Sequence, residues 1–346
     1  MKSSRPPKRS SAAARGRRLA AGAGAFLAAL GICACGAAGS SQPTAKLMLD
    51  FTPNAVHAGI YSALRRGYDR HEGIHLEVLQ PSASTDSARL LLAGKITLAI
   101  LDIHDLAIDD AHGEGIVGVL ALLARPLAAV IAQPPIDSPR ALEGKTVGVT
   151  GDPSDEAVLD SVLAGSGANP QTVHRVNIGF EAVPSMLANR VSAVTAFWDV
   201  EGVALSHARA GTREFRVDEY GAPAYPELVV CVTRSELAHD RGLIVKALTA
   251  IARGYQVTIA DPAASVSDMI AEVPGLERSA LSEQLAVLHG AFVRPGGRYG
   301  ELNVPLLHEW ATWEARFGIV PSPPDVDSVF EPGIVPSVPP YEGTRR

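Results

Sequence analysis

Two short strings recur along this chain in the same order, and that repetition restricts the fold more than any single motif. Leu92-Ala93-Gly94-Lys95-Ile96-Thr97-Leu98-Ala99-Ile100 is echoed by Leu187-Ala188-Asn189-Arg190-Val191-Ser192-Ala193-Val194-Thr195. Each reads as a helix end, a Gly or Asn that tolerates a left-handed backbone, a basic residue and then a strand. A second echo, at nearly the same offset, pairs Lys46 to Pro53 with Lys145 to Pro153. Two such echoes imply two related α/β lobes. Strands are expected near 46–50, 74–79, 96–101, 116–122, 145–149, 173–178, 191–197 and 226–232, alternating with amphipathic helices.

The chain opens with a segment of different character. Residues 1–18 carry seven Lys or Arg and no acid, and the apolar run Leu19 to Ile32 is too short to span a bilayer. Residues 1–34 thus read as an export signal rather than an uncleaved helical anchor. They resemble a bacterial lipoprotein signal in which Ile32-Cys33-Ala34 precedes an acylated Cys35. Small Ala34 before Cys35, against bulky Ile32 before Cys33, makes Cys35 the expected lipidation site. The product would be exported and lipid-anchored to the outer face of the cell membrane. Residues 35–45 form a tether, and 321–346 a Pro-rich tail expected to wrap the surface or stay disordered.

Composition removes several function classes. Seven of the 31 basic residues lie in the leader, so 24 face 37 acids in the remainder, a balance that argues against nucleic acid as a partner. Beyond Cys33 and Cys35 the one thiol is Cys231, so neither a disulfide framework nor a cysteine metal site is possible. Cys231 lies in the apolar run Leu228 to Val232 and reads as a buried strand residue. There is no Walker A loop, no HExxH and no Gly-x-Ser-x-Gly. His71 and His75 are four apart, but the strand pattern through Ile74 to Val78 argues against a helical metal pair. No cofactor and no metal is expected.

Candidate ligand-reading residues follow from the echo. The strand ending near Asp50 is stopped by Pro53, and Asn54 stands as a helix cap, so Asp50, Phe51, Asn54 and His57 gather at a strand's carboxyl end. Asp102 stands at the end of the strand that follows Gly94. Gly151 to Asp155 and Trp198 to Glu201 occupy matching places in the second half. Two lobes with such groups facing each other make a clamp. Phe51, Trp198 and Tyr225 offer stacking surfaces, Asp50 and Glu201 accept hydrogen bonds, and Asn54 and His57 both donate and accept. Structural roles compete with each: Asn54 and Asp102 as caps, Phe51 and Trp198 as core, His57 as a surface residue, Glu201 as an acid beside a helix dipole, and Tyr225 as packing in a crossover segment.

Leu49-Asp50-Phe51-Thr52-Pro53-Asn54-Ala55-Val56-His57-Ala58-Gly59-Ile60-Tyr61, with Gly67-Tyr68 and His71-Glu72-Gly73-Ile74, resembles the opening of the thiamine-pyrimidine-precursor binding family, a branch of the periplasmic binding proteins of ABC importers. Ala93 to Ile96, Leu142 to Gly148 and Ala196 to Gly202 follow in that family's order, although these blocks also fit sulfonate, nitrate and riboflavin relatives. The resemblance covers residues 46 to 320. It implies a two-lobed α/β fold of periplasmic-binding-protein type II, with the chain leaving the first lobe near 125–135 and returning near 230–236. The lobes would then be 46–130 with 233–320, and 131–232. The implied function is capture of a pyrimidine-like solute by a monomer that serves an ABC permease and its ATPase.

The competing class is an enzyme, since eukaryotic relatives make the pyrimidine phosphate with a lysine and a histidine after the strand matching Gly94 to Ile100, and with a cysteine-rich segment. The matching places here hold Leu101 and Asp105, His104 is one position off, and Cys231 stands alone. A lipoprotein with this fold and no importer is a third class. For the leader, we expect lipid incorporation to vanish in Cys35→Ser and to persist in Cys33→Ser, read by radiolabelled lipid in cells. The opposite pattern would move the anchor two residues upstream.

Overall fold

All eight expected strands form, each within two residues of its expected ends or start, and two more join them. The computed structural model describes residues 42–82, 86–151 and 153–343. The export signal, Cys35 and most of the tether lie outside the described residues. In chain order the strands are β1 (Thr44–Met48), β2 (His75–Leu79), β3 (Leu98–Asp102), β4 (Ile116–Ala121), β5 (Ala128–Ala132), β6 (Thr146–Val149), β7 (His174–Asn177), β8 (Ala193–Phe197), β9 (Arg213–Arg216) and β10 (Leu228–Thr233). They build two five-stranded sheets, ordered β2-β1-β3-β10-β4 and β7-β6-β8-β5-β9.

The two orders correspond place for place. β1 lies parallel between β2 and β3, with Leu47 opposite both Val78 and Leu98. β6 lies parallel between β7 and β8, with Val147 opposite Arg175 and Ala193. Each sheet then takes one antiparallel strand: β10 between β3 and β4, and β5 between β8 and β9. The sequence echo marks this duplication. Gly94 and Asn189 precede equivalent strands with φ of 63° and 54°, and Asn189 is the one non-glycine residue in the left-handed region among the described residues.

The first point where the chain changes lobe overlaps the start of the expected 125–135, whereas the return comes earlier than the expected 230–236. β5 pairs over its whole length inside the second sheet, and β10 pairs inside the first. The chain therefore crosses over through 122–127 and returns through 217–227, and the lobe borders set at 130 and 232 move to just before Ala128 and Leu228. β5 is buried at all five positions, so it shows no alternation to mark it as a sheet strand. β9 was missed for the opposite reason: as an edge strand it buries only Phe215 among charged neighbours.

Several contacts tie the crossovers together. The Glu227 carboxylate accepts the amide hydrogens of Leu127 and Ala128, and the Glu227 carbonyl accepts that of Ile103 at 2.9 Å. Arg125 donates to Asp218 from two guanidinium nitrogens at 2.7 and 3.0 Å. The Pro-rich tail docks rather than trailing away: Val326, Val329 and Phe330 are buried, Phe330 bridges to Gly118 of β4, and the Glu331 amide donates to the Gly118 carbonyl at 3.0 Å.

In the first lobe the helix Arg241–Ala260 packs closely on Ala58–Arg65. A methyl group at Gly254 would lie 1.9 Å from the Gly59 carbonyl oxygen and 2.8 Å from the Ala63 nitrogen, both backbone atoms that cannot rotate away. We expect Gly254→Ala to destabilise the unliganded protein by about 1–3 kcal/mol despite alanine's better helix propensity, because overpacking outweighs it. Urea unfolding measures this, and an unchanged midpoint would refute the close approach.

Candidate ligand-binding cleft

The carboxyl ends of both sheets face one cleft of about 370 Å³. From the first lobe come the loop after β1, with Asp50, Phe51 and Asn54, and the residues after β3, with Asp102, His104 and Asp105. From the second come Thr150, Asp155, Phe180, Thr195 and the segment after β8, with Asp199 and Glu201. Leu127, Ala128, Glu227 and Leu228 contribute from the crossovers.

The loop after β1 is held by a reciprocal cap. Asn54 Oδ1 accepts the Val56 amide hydrogen at 2.9 Å, and His57 Nδ1 accepts the Asn54 amide hydrogen at 3.2 Å. That bond leaves the imidazole proton on Nε2, which donates to Asp50 Oδ1 at 2.8 Å. His57 is 0% exposed and does not line the cleft. It acts through Asp50, whose carboxylate it aims, rather than meeting a solute itself. Asn54 is both cap and cleft wall, so the two roles expected as alternatives coincide. Asp102 likewise caps the helix Ile103–Ala111, accepting the His104 amide hydrogen at 2.7 Å, and still lines the cleft.

With His57, Trp198 and Tyr225 are expected ligand contacts that do not line the cleft. Trp198 is 1% exposed; its indole Nε1 donates to the Pro126 carbonyl at 3.0 Å, and the Arg216 guanidinium lies 4.0 Å above its ring. Tyr225 is buried with its hydroxyl 3.3 Å from His104 Nε2 and its ring among His104 and Trp313. Both support the crossovers. Trp198 and Glu201 part company because Trp198–Gly202 is a single wide π turn. Its i→i+5 bonding advances less per residue than an α-helix, so residues three apart no longer share a face. The turn sends Trp198 into the core and Asp199, Val200 and Glu201 to the cleft.

Phe180 and Glu227 are contributors the sequence does not single out, and Asp199 is marked there only as part of the stretch Trp198 to Glu201. Phe180, 68% exposed, faces Phe51, 42% exposed, from the opposite lobe with ring centroids 6.3 Å apart. Its signal was an aromatic residue just past a strand end, as Phe51 is past β1, although Phe180 follows β7, the counterpart of β2. Asp199 is fully buried at the cleft wall, and neither carboxylate oxygen has a hydrogen-bond partner among the described residues. Asp155, by contrast, accepts from the Thr150 amide at 2.6 Å and the Thr195 hydroxyl at 2.8 Å.

Charge in the cleft has one dominant sign. Seven carboxylates line it, from Asp50, Asp102, Asp105, Asp155, Asp199, Glu201 and Glu227, and no Lys or Arg does so among the described residues. Burial and the nearby Glu201 and Asp50 charges push Asp199 up to about 8. Burial also raises Glu201 and Glu227. Burial carries Asp102 up to about 7 although His104 pulls it back. His104 goes the other way: burial alone would lower it, but Glu314, bonded to its Nδ1, and Asp102 raise it to about 10.

Residues 54–265 match the NMT1/THI5-like family over more than half of the chain. The chain belongs to that family. Its similar relatives include a formylaminopyrimidine-binding protein of Halalkalibacterium halodurans, 28% identical over 78% of this chain and 84% of that protein. A 4-amino-5-hydroxymethyl-2-methylpyrimidine phosphate synthase of Saccharomyces cerevisiae is 22% identical over 66% of this chain and 71% of its own length. Among solved structures, the periplasmic aliphatic sulphonate binding protein SsuA of Escherichia coli superposes with a TM-score of 0.67 at 15% identity, covering 88% of this chain and 96% of that one. The fold of this NMT1/THI5-like chain is therefore the two-lobed α/β fold of the periplasmic binding proteins.

The raised Asp199 predicts a pH signature. Its folded form holds a proton that the unfolded chain releases near pH 4, so this group lowers stability as pH climbs from about 4 to 8. Asp199→Asn, neutral throughout, should flatten that part of the slope. We expect the thermal midpoint of the unliganded wild type to fall more between about pH 5 and pH 8 than that of Asp199→Asn. Parallel profiles would mean that Asp199 is ionised in the folded protein.

Proposed function

We propose that the protein is the extracytoplasmic solute-binding component of an ABC importer, that it captures a thiamine pyrimidine precursor of the formylaminopyrimidine or hydroxymethylpyrimidine type, and that it has no catalytic activity. The observation that carries this reading is the cleft's charge: seven carboxylates and, among the described residues, no Lys or Arg. A sulfonate or nitrate would meet carboxylates from both lobes, and the one cation in the lining among the described residues, the His104 imidazolium, is already paired with Glu314. An aminopyrimidine brings what these acids lack, namely N–H donors and a basic ring nitrogen.

The chemistry of Asp199 fits such a ring in detail. A carboxyl group facing a 4-aminopyrimidine accepts from the amino group with one oxygen and shares a proton with the adjacent ring nitrogen through the other. A group pushed up to about 8 by burial brings that proton itself at neutral pH. Glu201 and Asp50 stand near to accept a second amino hydrogen, and Phe51 and Phe180 supply faces for a flat solute. Against an enzyme, the position that the resemblance assigns to a cofactor lysine is Leu101, an apolar cleft residue, and the free thiol Cys231 is buried in β10. The formylaminopyrimidine-binding relative supports the binding-protein reading; an importer permease and ATPase as partners and a lipid on Cys35 as anchor belong to the same proposal.

Calorimetry of the purified chain against formylaminopyrimidine, hydroxymethylpyrimidine, riboflavin and an alkanesulfonate tests the proposal. We expect a pyrimidine to bind and the sulfonate to give no heat. Asp199→Ala and Glu201→Gln should each weaken pyrimidine binding by about ten- to a hundredfold, the effect of about 1–3 kcal/mol for an unpaired polar group. Asp199→Asn, which keeps a donor and an acceptor, should retain most of the affinity. Trp198→Phe should lower the thermal midpoint and leave affinity nearly unchanged. Sulfonate binding with the pyrimidines silent would overturn the reading.

A further inference from the structure

The floor of the cleft carries a constellation that pyrimidine recognition leaves unused. Asp102, His104 and Glu227 each offer one ligand atom, and these atoms lie within 4.8 Å of one another. All three residues line the cleft. His104 Nδ1 is bonded to Glu314 on the helix Val304–Arg316, which turns Nε2 toward the Tyr225 hydroxyl at 3.3 Å and Glu227 Oε1 at 3.8 Å. One oxygen of Glu227 is taken by the Leu127 and Ala128 amides. The other, Oε1, is buried and has no hydrogen-bond partner among the described residues.

We propose that Asp102, His104 and Glu227 form a binding site for a first-row divalent transition-metal ion of the zinc class, with Glu314 orienting the imidazole from behind. Four observations converge on it. A mixed imidazole and carboxylate set suits zinc and its neighbours. A histidine ligand characteristically donates its second ring nitrogen to a carboxylate, the role Glu314 fills. Glu227 Oε1 is buried without a hydrogen bond among the described residues, and an ion bound there would displace the proton of His104 Nε2, the cationic group 3.8 Å away. Ligand bonds of about 2.0–2.2 Å hold tetrahedral ligand atoms about 3.3 Å apart, so the 3.8 Å between Nε2 and Oε1 closes with a shift of a few tenths of an ångström.

Three protein ligands leave a coordination position open, and here it faces the cleft. The site therefore takes the ion alone and offers the remaining position to water or to a nitrogen of a bound solute. The proposal does not depend on which solute the cleft accepts, and its test uses the metal without any solute. Asp102 ends β3, His104 lies in the first turn of the helix that follows, and Glu227 belongs to the returning crossover, so the ion would also brace the crossover against the first lobe.

Tag-free protein stripped with a chelator and titrated with zinc chloride by calorimetry provides the test. We expect one ion per chain, with a dissociation constant of about 1 μM or tighter. Asp102→Asn keeps a helix cap but removes a charged ligand, and Glu314→Gln disturbs only the orienting carboxylate. Each should weaken uptake by tenfold or more, in the range of about 10–100-fold seen for orienting partners. Cobalt substitution of the wild type gives a readout independent of either variant's stability: intense visible bands report a low-coordinate site with a nitrogen ligand. No saturable uptake below about 1 mM, a loss under tenfold in folded variants, or only the pale spectrum of a six-oxygen ion would overturn the proposal.

Discussion

A buried carboxylate at the junction of two chain crossovers organises this molecule. Glu227 sits where the chain returns to the first lobe and accepts the amide hydrogens of Leu127 and Ala128, where it has just entered the second. Removing a carboxylate from water costs several kcal/mol unless hydrogen bonds and opposite charge offset it. Two backbone donors and the nearby His104 imidazolium supply that offset. The same group fixes how the two crossovers pass each other and forms the floor of the cleft. Trp198 and Tyr225, both fully buried around this junction, make it stiff.

From the junction outward, the cleft is a set of acids held closer than they would settle in water. Asp199 is buried without a hydrogen-bond partner among the described residues, beside Glu201 and within reach of the Asp50 charge. Such crowding costs folding energy and raises the affinity of the cavity for protons. A solute that brings donors replaces those protons or shares them, so part of its binding free energy is stored in the unliganded protein as like-charge repulsion. Asp50 shows how the arrangement is kept in place, because a buried histidine with no route to the solute fixes its orientation.

The duplicated plan was legible in the chain because it rests on local rules. Gly94 and Asn189 occur where a helix must end in a left-handed residue before an equivalent strand, and strand patterns survive wherever one face stays apolar. The residues just past strand ends were legible for the same reason: Asp50, Phe51, Asn54, Asp102 and Glu201 all reach the cleft. Where the pattern carried no alternation, as in fully buried β5, or almost no apolar residue, as in edge strand β9, the reading lost both a strand and the true crossover.

The sequence by itself determined that an acidic chain would form two related α/β lobes with polar strand ends turned to a common cleft, because hydrophobic period, turn residues and charge are properties of neighbours along the chain. Only the tertiary structure decided which of those polar groups line the cleft. A π turn swapped Trp198 for Asp199, and a reciprocal cap hid His57 behind Asp50. Contacts between residues far apart in sequence set Glu227 over the first crossover and joined His104 to Glu314. Burial and charge proximity in space set these choices, and no spacing along the chain encodes them.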